Sequence, residues 1–358
     1  MTEWKEYKLG EVITVKYGKD HKALKDGLYP VYGSGGIMRY ADNFLYDKES
    51  ILIPRKGSLN NIFYREKAFW TVDTMFYSEI DTTKVFPKFL YYQLTLVDFE
   101  NLNVGSAVPS LTIPIINDID ISLPPLPEQI RIASILSSLD DKIDLLHREN
   151  ATLERMAETL FRQWFIEEAK EDWEEVSLTR VANFLNGLAC QKFPPKNEIE
   201  KLPVLKIREL SNGIGDDSDY ATTDVEKEYI VHAGDVIFAW SASLMVKIWD
   251  GRDCILNQHL FKVTSEKYPK WFYYFWCKHH LDEFISIAQS HATTMGHIKR
   301  KDLENAIVLV PTSSELKTMT EQIEYLLQKI ENNNNEIQTL TQQRDGLLPK
   351  LMSGEVKI

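Results

Sequence analysis

Two stretches of the chain place apolar residues alternately four and three positions apart, the spacing of a helical coiled-coil seam. The first comprises Ile132, Leu136, Leu139, Ile143, Leu146, Asn150, Leu153, Ala157, Leu160 and Trp164, and the second Ile323, Leu326, Ile330, Asn333, Ile337, Leu340, Arg344, Leu347 and Leu351. The polar seam residues Asn150 and Asn333 are of the kind that fixes register. At 1.5 Å per residue each helix spans about 50 Å, more than the width of a domain of about 125 residues. We expect the two helices to pair with each other; amphipathic helices lying on their own globules are the alternative.

Outside these helices the pattern changes to short β-rich stretches bounded by Gly, Asn, Asp and Pro. Examples are residues 50–53, 69–76, 235–240 and 254–263. A Pro-Lys-aromatic block at 86–92, repeated at 268–274, predicts the start of a helix packed against the sheet. Its Tyr91 and Tyr273 fit core packing better than stacking on a nucleic-acid base. The pattern therefore predicts α+β globules.

The two globular regions are copies of each other. The opening that begins at Trp4 returns at Trp173, and Gly18 keeps its offset at Gly187. Four further pairs of blocks follow in the same order: 30–31 and 203–204, 50–53 and 235–238, 86–92 and 268–274, and the apolar residues entering a proline at 119–124 and 306–311. Five blocks in one order indicate an internal duplication.

The predicted order is globule, helix, globule, helix. The bounds are 1–127 for the first globule, 128–168 for the first spacer helix, 169–314 for the second globule and 315–358 for the second spacer helix. The second globule lies between the helices in the chain, so the simplest closure is an intramolecular antiparallel coiled coil with a globule at each end. The predicted fold class is α+β with approximate two-fold symmetry within one polypeptide.

Composition and charge exclude several classes of protein. A chain of 358 residues with 44% hydrophobic residues is not disordered or fibrous, and its apolar runs are too short for a membrane-spanning helix. The net charge of -12 argues against a protein that grips phosphate with its whole surface, and none of the four segments is basic overall. The three cysteines form no Cys-x-x-Cys pair, and the N-terminus has no apolar signal region. We expect a cytoplasmic, reduced, metal-free protein.

Several motifs, taken in order, resemble the specificity subunit of type I restriction-modification enzymes. They are the duplicated Trp-x-Glu-x-x-Leu opening, residues 32–36 (YGSGG), 57–60 (GSLN), 257–261 (NQHLF), 123–129 (LPPLPEQ) and the tail 347–354 (LLPKLMSG). The resemblance covers essentially the whole chain. Residues 206–209 (KIRE) depart from the Gly-Ser-Gly-Gly of the first copy, and Pro-Thr-Ser-Ser-Glu315 replaces Pro-Pro-Leu-Pro-Glu128.

The resemblance implies two target-recognition domains, each of which contacts one half of a bipartite site in double-stranded DNA. Because the two copies differ in the segments just named, they are expected to select different half-sites. The spacer helices are implied to dock methyltransferase (M) and restriction (R) subunits. No cofactor is expected in this chain, since S-adenosylmethionine, ATP and Mg belong to those partner subunits.

Catalytic motifs are missing from the sequence. An adenine methyltransferase needs Asn/Asp-Pro-Pro-aromatic, and neither Pro124-Pro125 nor Pro194-Pro195 fits it. A Pro-Asp, Glu-x-Lys nuclease needs Pro-Asp, and no proline precedes an aspartate. Phosphate-binding loops and zinc-ligand spacing are missing as well. We therefore predict a chain that is not itself an enzyme.

The remaining candidates for DNA contact are polar, basic and aromatic loop residues, which donate to phosphates and base edges or stack on bases. In the first copy they are Tyr32, Ser34, Arg55, Lys56, Ser58, Asn60, Asn61, Ser106 and Ser110. In the second copy they are Lys206, Arg208, Trp240, Ser241, Ser243, Thr293, Thr294, His297, Lys299, Arg300 and Lys301. For any single residue a solvated loop is the alternative.

Two hypotheses follow. The first is a non-catalytic DNA-recognition subunit. The second is a two-headed coiled-coil scaffold that binds other proteins, which the net acidity favours. The first requires partner subunits to supply much of the contact with phosphate, so that the isolated chain binds DNA weakly and with strong salt dependence.

Overall fold

The computed structural model describes residues 4–105, 108–215, 217–290 and 296–356. These residues form two compact units. The first unit comprises Met1–Asp144 and Gln338–Ile358, and the second comprises Leu145–Ile337. Each unit thus contains one globule together with parts of two long helices. The four-segment division with bounds at 127, 168 and 314 stays a prediction about the modules of the chain.

The first unit contains three small sheets beside two short helices. Its strands are Lys5–Lys8, Ile13–Tyr17, Asp26–Gly33, Gly36–Ala41, Ser50–Pro54, Phe63–Arg65, Trp70–Thr71, Met75–Ile80 and Asp120–Leu123. Its short helices are Pro87–Leu94 and Ile113–Asn117, with a 3₁₀ turn at Leu9–Glu11. The first of these begins at the predicted Pro-Lys-aromatic block, where proline occupies the first turn, a position that needs no N–H.

The second unit repeats this plan. Its strands are Glu174–Ser177, Asn183–Asn186, Lys201–Leu205, Tyr220–Thr222, Ile230–Val231, Val236–Ala239, Met245–Ile248, Cys254–Leu256, Leu260–Thr264 and Ile307–Val310. Its shorter helices are Leu178–Val181, Ile207–Asn212, Lys270–His279, Leu281–Ser290 and Arg300–Asn305, and 3₁₀ turns lie at Cys190–Lys192 and Lys227–Tyr229. The predicted second aromatic helix is therefore present, and Tyr273 within it is buried.

Strand order shows the duplication directly. One four-stranded sheet runs Ile13–Tyr17, Met75–Ile80, Ser50–Pro54, Phe63–Arg65, and its counterpart runs Asn183–Asn186, Leu260–Thr264, Val236–Ala239, Met245–Ile248. All neighbours within both sheets are antiparallel.

The glycine that follows the first strand of each of these sheets is constrained by packing in both copies. A Cβ on Gly18 would lie 2.0 Å from the carbonyl oxygen of Val72, and one on Gly187 would lie 2.3 Å from that of Asn257. Neither position has room for a side chain.

Two of the predicted β-rich stretches are interrupted. Residues 69–76 divide into strands Trp70–Thr71 and Met75–Ile80, and residues 254–263 divide at Asn257–His259. In each case the earlier strand has a parallel neighbour in one sheet, and the later strand has antiparallel neighbours in another. The chain changes sheets at the interruption, so one continuous strand is geometrically excluded.

The first long helix runs Leu126–Arg162 and ends in a π-helical turn at Gln163–Glu167, and the second runs Ser313–Met352. Within the first unit, Ile132 and Leu136 share a buried cluster with Leu351. Further along, the Arg344 guanidinium donates to the Asp140 carboxylate at 3.0 Å. The two helix segments are therefore antiparallel. The same cluster contains the globule's own apolar residues, so the helices pack on each other and on the globule.

In the second unit Ala157 shares a cluster with Ile323 and Leu326, and the polar seam residues meet. The Asn333 amide donates to Asn150 Oδ1 at 2.8 Å, and the Asn150 amide donates to Asn334 Oδ1 at 2.7 Å. Chain directions are again opposed. The predicted antiparallel coiled-coil pairing is confirmed, and none of the seam residues is exposed.

A tyrosine from each aromatic helix fixes the globule to the first long helix. In the first unit, the Tyr92 hydroxyl donates to Asp140 Oδ2 at 2.6 Å. In the second, the Tyr274 hydroxyl donates to Glu154 Oε1 at 2.5 Å, and Lys278 donates to the same oxygen at 2.9 Å. Burial is the main cause that raises the pKa of both tyrosines above 10.0. Both hydroxyls therefore stay protonated and act as donors.

Cys190, Cys254 and Cys277 are free and buried, and burial raises the pKa of each thiol. Across the described parts of the chain, every helix is too short or too polar to cross a membrane.

Candidate nucleic-acid interface

The loop after strand Ser50–Pro54 is joined to a segment late in the first copy. Gly57 N donates to the Pro109 carbonyl at 3.1 Å, and Leu111 N donates to the Arg55 carbonyl at 2.9 Å. Lys56 and Ser110 lie opposite each other in a β-bridge between these bonds. Two segments proposed separately for DNA contact are thus one surface. We call Arg55, Lys56, Gly57, Ser58 and Ser110 the first face.

The second copy builds the same arrangement from different side chains. Ala242 N donates to the Gly296 carbonyl at 2.9 Å, Ile298 N donates to the Trp240 carbonyl at 3.1 Å, and Ser241 and His297 form the bridge between them. We call this the second face, formed by Trp240, Ser241, Ala242, Ser243 and His297. These two hydrogen bonds and the bridge match those that join the two segments of the first face.

A third segment completes the match. Arg55 N donates to the Thr74 carbonyl at 2.8 Å, and Trp240 N donates to the His259 carbonyl at 3.4 Å. The third residue of each loop also has a left-handed backbone, with φ of +95° at Gly57 and +56° at Ala242. Ala242 is the one non-glycine residue with positive φ among those described, and an L side chain is strained there.

None of the five residues of the first face is buried, and Lys56 and Ser58 are exposed. The neighbouring Asn61 is also exposed, and its amide donates to the Ser34 carbonyl at 3.0 Å, which brings the Ser34 turn to the edge of the face. Arg55 Nη1 donates to the Asp73 carbonyl at 3.1 Å. Since a guanidinium carries five N–H donors, this bond leaves others for a ligand.

The second face is aromatic and hydroxylic. The Trp240 indole stacks on Phe261 with ring centroids 5.6 Å apart, and Ser241 Oγ lies 3.1 Å from His259 Nδ1. Ser243 and His297 are exposed. Next to them are Lys299, Arg300 and Lys301, all exposed, where Lys299 N caps a short helix through Asp302 at 2.7 Å. The positive charge of this copy therefore borders the face.

Four of the predicted contact residues have other structural roles. Tyr32 is 5% exposed and packs against Phe63, while Asn60 Oδ1 accepts from Phe99 N at 2.8 Å. Lys206 is paired with Asp219, and Arg208 with Glu209 and Asp217. These side chains are buried or already paired, so we leave them out of both faces. Ser106, Thr293 and Thr294 lie outside the described residues.

Comparison with known proteins bears on this duplicated surface. The profile of the family described as "Type I restriction modification DNA specificity domain" matches residues 1–155 and again residues 170–342. The chain belongs to this family. Each matched segment contains one of the two faces. As a chain with two DNA-specificity domains, it is the non-catalytic recognition component of a type I restriction-modification system.

Individual specificity subunits match this chain over most of its length. The MjaIX specificity subunit of Methanocaldococcus jannaschii is 25% identical over 345 residues, covering 88% of this chain and 79% of that protein. The MjaVIII specificity subunit of the same organism is 24% identical and covers 99% of this chain and 93% of its own. The crystal structure of the S subunit from M. genitalium has a TM-score of 0.58 at 16% identity, covering 98% of this chain and 96% of that one. That likeness supports the fold.

The structure adds residues that sequence patterns did not single out in these specificity domains. Tyr17 and Asn186 end equivalent strands beside the faces, and Thr74 and His259 lie at the sheet change that supports each loop. The motif at 257–261 contains His259, which was the one available signal. Among the described residues, His, Cys, Asp and Glu do not gather in groups of three or more that would hold a metal ion.

Proposed function

We propose that the first face and the second face each contact one half of a bipartite sequence in double-stranded DNA. The observation that carries this proposal is the pair of matched backbone frameworks with unlike side chains. Three backbone hydrogen bonds and one β-bridge recur, while Arg55, Lys56 and Ser110 are replaced by Trp240, Ser241 and His297. A common scaffold with unlike side chains is what two different DNA half-sites require.

The proposed DNA contacts are of two kinds, contacts to phosphates and contacts to base edges. Lys56 and the exposed basic residues 299–301 suit phosphates, whereas Arg55, Ser58 and Asn61 carry donors suited to base edges. Phosphate contacts position the protein, and base-edge contacts provide sequence selection. Few basic residues lie on either face, so the isolated chain is expected to bind weakly and to lose affinity steeply as salt rises.

The same proposal assigns the partners. Methyltransferase and restriction subunits dock on the long helices and supply the additional contact with phosphate that a chain of net charge -12 lacks. S-adenosylmethionine, ATP and Mg²⁺ are bound by those subunits. The purified chain, given all three, is accordingly expected neither to methylate nor to cut DNA, and product formation by the chain alone would contradict this.

The deciding experiment is selection from a library of random duplexes. The isolated chain and the complex reconstituted with its methyltransferase subunits are each incubated with the library, and bound duplexes are sequenced. The expected result is enrichment of two short words separated by a gap of fixed length. If neither preparation enriches a split sequence, DNA recognition is wrong and the protein-binding scaffold becomes the better account.

A further inference from the structure

An aromatic side chain caps the equivalent phenylalanine in both units, the buried Phe76 in the first and the half-buried Phe261 in the second. In the first unit the cap is Tyr17, which pairs with Phe76 across neighbouring strands, with ring centroids 5.1 Å apart. The Arg55 guanidinium lies over the Tyr17 ring, 5.6 Å from its centroid. Arg55 is thus held from below by an exposed aromatic ring and from the side by the Asp73 carbonyl.

In the second unit the aromatic cap comes from the loop residue Trp240 and not from the last residue of the first strand. Asn186 pairs with Phe261 across the strands, as Tyr17 pairs with Phe76. Here Trp240, equivalent to Arg55, stacks on Phe261 with an interplanar angle of 26°. Asn186 Oδ1 accepts the indole N–H of Trp240 at 3.1 Å. The aromatic ring and its polar partner have therefore exchanged places between the two domains.

The strand registers establish this equivalence independently of the side chains. Phe76 lies between Tyr17 and Ile53 on its two neighbouring strands, and Phe261 lies between Asn186 and Phe238. Two residues after Ile53 comes Arg55, and two residues after Phe238 comes Trp240. Tyr17 with Arg55 and Asn186 with Trp240 are thus the same two positions of one scaffold, and we call them the readout pairs.

The two readout pairs differ in the groups that remain available to bind a ligand. Arg55 presents remaining N–H donors in a planar fork, which matches the O6 and N7 acceptors of guanine in the major groove. Trp240 has only one donor, its indole N–H, and Asn186 already accepts it. What Trp240 offers DNA is therefore apolar surface, and the apolar group on a major-groove edge is the methyl group of thymine.

We propose that Tyr17 and Asn186 are positioning residues, that the Tyr17–Arg55 pair selects a guanine in one half-site, and that the Asn186–Trp240 pair selects a thymine in the other. The inference rests on the proposed function, since it requires that both faces contact DNA. Each pair acts as a unit because its first member, Tyr17 or Asn186, positions the second. Exchanging one member alone removes the selection, and exchanging both transfers it.

The test uses the complex reconstituted with methyltransferase subunits and the random-duplex selection. In the double variant Tyr17→Asn/Arg55→Trp, the preferred base at one position of the first half-site is expected to change from guanine to thymine. The second half-site stays unchanged and serves as an internal control. Because one good base contact is worth about 1–3 kcal/mol, the preference should change by about 5- to 150-fold.

Single variants separate positioning from stability. Tyr17→Asn should lose most of the guanine preference, while Tyr17→Phe, which keeps the ring under Arg55, should retain it. Thermal unfolding of each variant shows whether the protein still folds. If Tyr17→Asn folds and keeps the full preference, Tyr17 is not a positioning residue.

Modified bases test the second pair without changing the protein. Replacing the selected thymine by deoxyuridine removes only its methyl group, and should weaken binding of the wild-type complex but not further weaken that of Trp240→Ala. Equal binding of thymine and deoxyuridine by the wild type would overturn the assignment. Failure of the wild-type complex to select any split sequence would instead overturn the proposed function, so the two failures are distinguishable.

Discussion

At the scale of single residues, the third loop position shows how the two faces tolerate different side chains on one backbone. Gly57 adopts φ of +95° without strain, and a Cβ there would lie 2.7 Å from Ser34 Oγ. Ala242 adopts the same left-handed region at φ of +56° and is exposed. The second loop therefore stores a small amount of conformational energy that the first does not.

Ala242→Gly should consequently stabilise the protein. Relief of the left-handed strain, about 1–2 kcal/mol, outweighs the added entropy of glycine in the unfolded chain, so the expected gain is about 0.5–1 kcal/mol. Urea unfolding measures it. The matched variant Gly57→Ala should destabilise by at least as much, and equal stability of all three proteins would contradict the strain.

Predictions for single residues agree with the structure where a polar residue type is also exposed. They miss contacts that depend on which strands pair and in which register. The loop containing Arg55 was predicted as a polar surface loop and is one. Tyr32 is an equally good candidate by residue type, yet it is buried, next to an irregularity in strand pairing between Val31 and Tyr32. Tyr17 gave no signal, because its place beside Arg55 depends on which strands pair, and that information is not local.

At the scale of elements, the second long helix begins with a reciprocal cap. Thr312 N donates to Glu315 Oε2 at 3.0 Å, Glu315 N donates to Thr312 Oγ1 at 3.4 Å, and the Trp173 indole donates to the same carboxylate at 3.1 Å. Lys170 is paired with it as well. The sequence Pro-Thr-Ser-Ser-Glu315 differs from Pro-Pro-Leu-Pro-Glu128 of the first copy. It thus forms a capping box at the place where prolines open the first long helix.

The bonds to Lys170, Thr312 and Trp173 lower the pKa of Glu315 from 4.5 to about 2. A carboxyl with a depressed pKa stabilises the folded state fully above pH 4.5, and that contribution is lost as pH falls toward 2. Glu315→Gln should therefore flatten the dependence of unfolding free energy on pH within this window. Glu321→Gln, at an exposed position of the same helix, controls for the loss of one charge.

The paired asparagines of the second unit should be energetically coupled. Asn150→Ala and Asn333→Ala each leave the other amide without this partner in a largely buried seam, so their effects on unfolding free energy should not add. A double-mutant cycle by urea unfolding is expected to give a coupling of about 1 kcal/mol. Asn150→Ala combined with Asn332→Ala, an exposed neighbour, should be additive.

Helix existence was predictable because seven-residue spacing is a strong local signal. The packing of the helices was predictable only in part. Pairing and packing on the globules were posed as alternatives, and the structure has both, since Ile132 and Leu351 lie in one cluster with globule residues such as Phe89. Aromatic anchors such as Tyr92 are invisible in the seam pattern because they belong to other elements.

At the scale of the whole molecule, the duplication predicts modular selection. Replacing residues 1–127 with the corresponding domain of another specificity subunit should change one half of the DNA site and leave the other half and the gap unchanged. Selection from the random-duplex library with the reconstituted complex measures this. A change in both halves would show that the faces do not act separately.

The backbone hydrogen bonds that build the faces have a consequence for how such proteins change over generations. The links at residues 55–57 and 240–242 run from main chain to main chain, so outside the left-handed third position they do not depend on which side chains the loops carry. Substitutions at exposed positions of this kind usually alter folding free energy by less than about 0.5 kcal/mol. A lineage can therefore exchange the exposed side chains of either face one at a time, and most intermediates along that path remain folded.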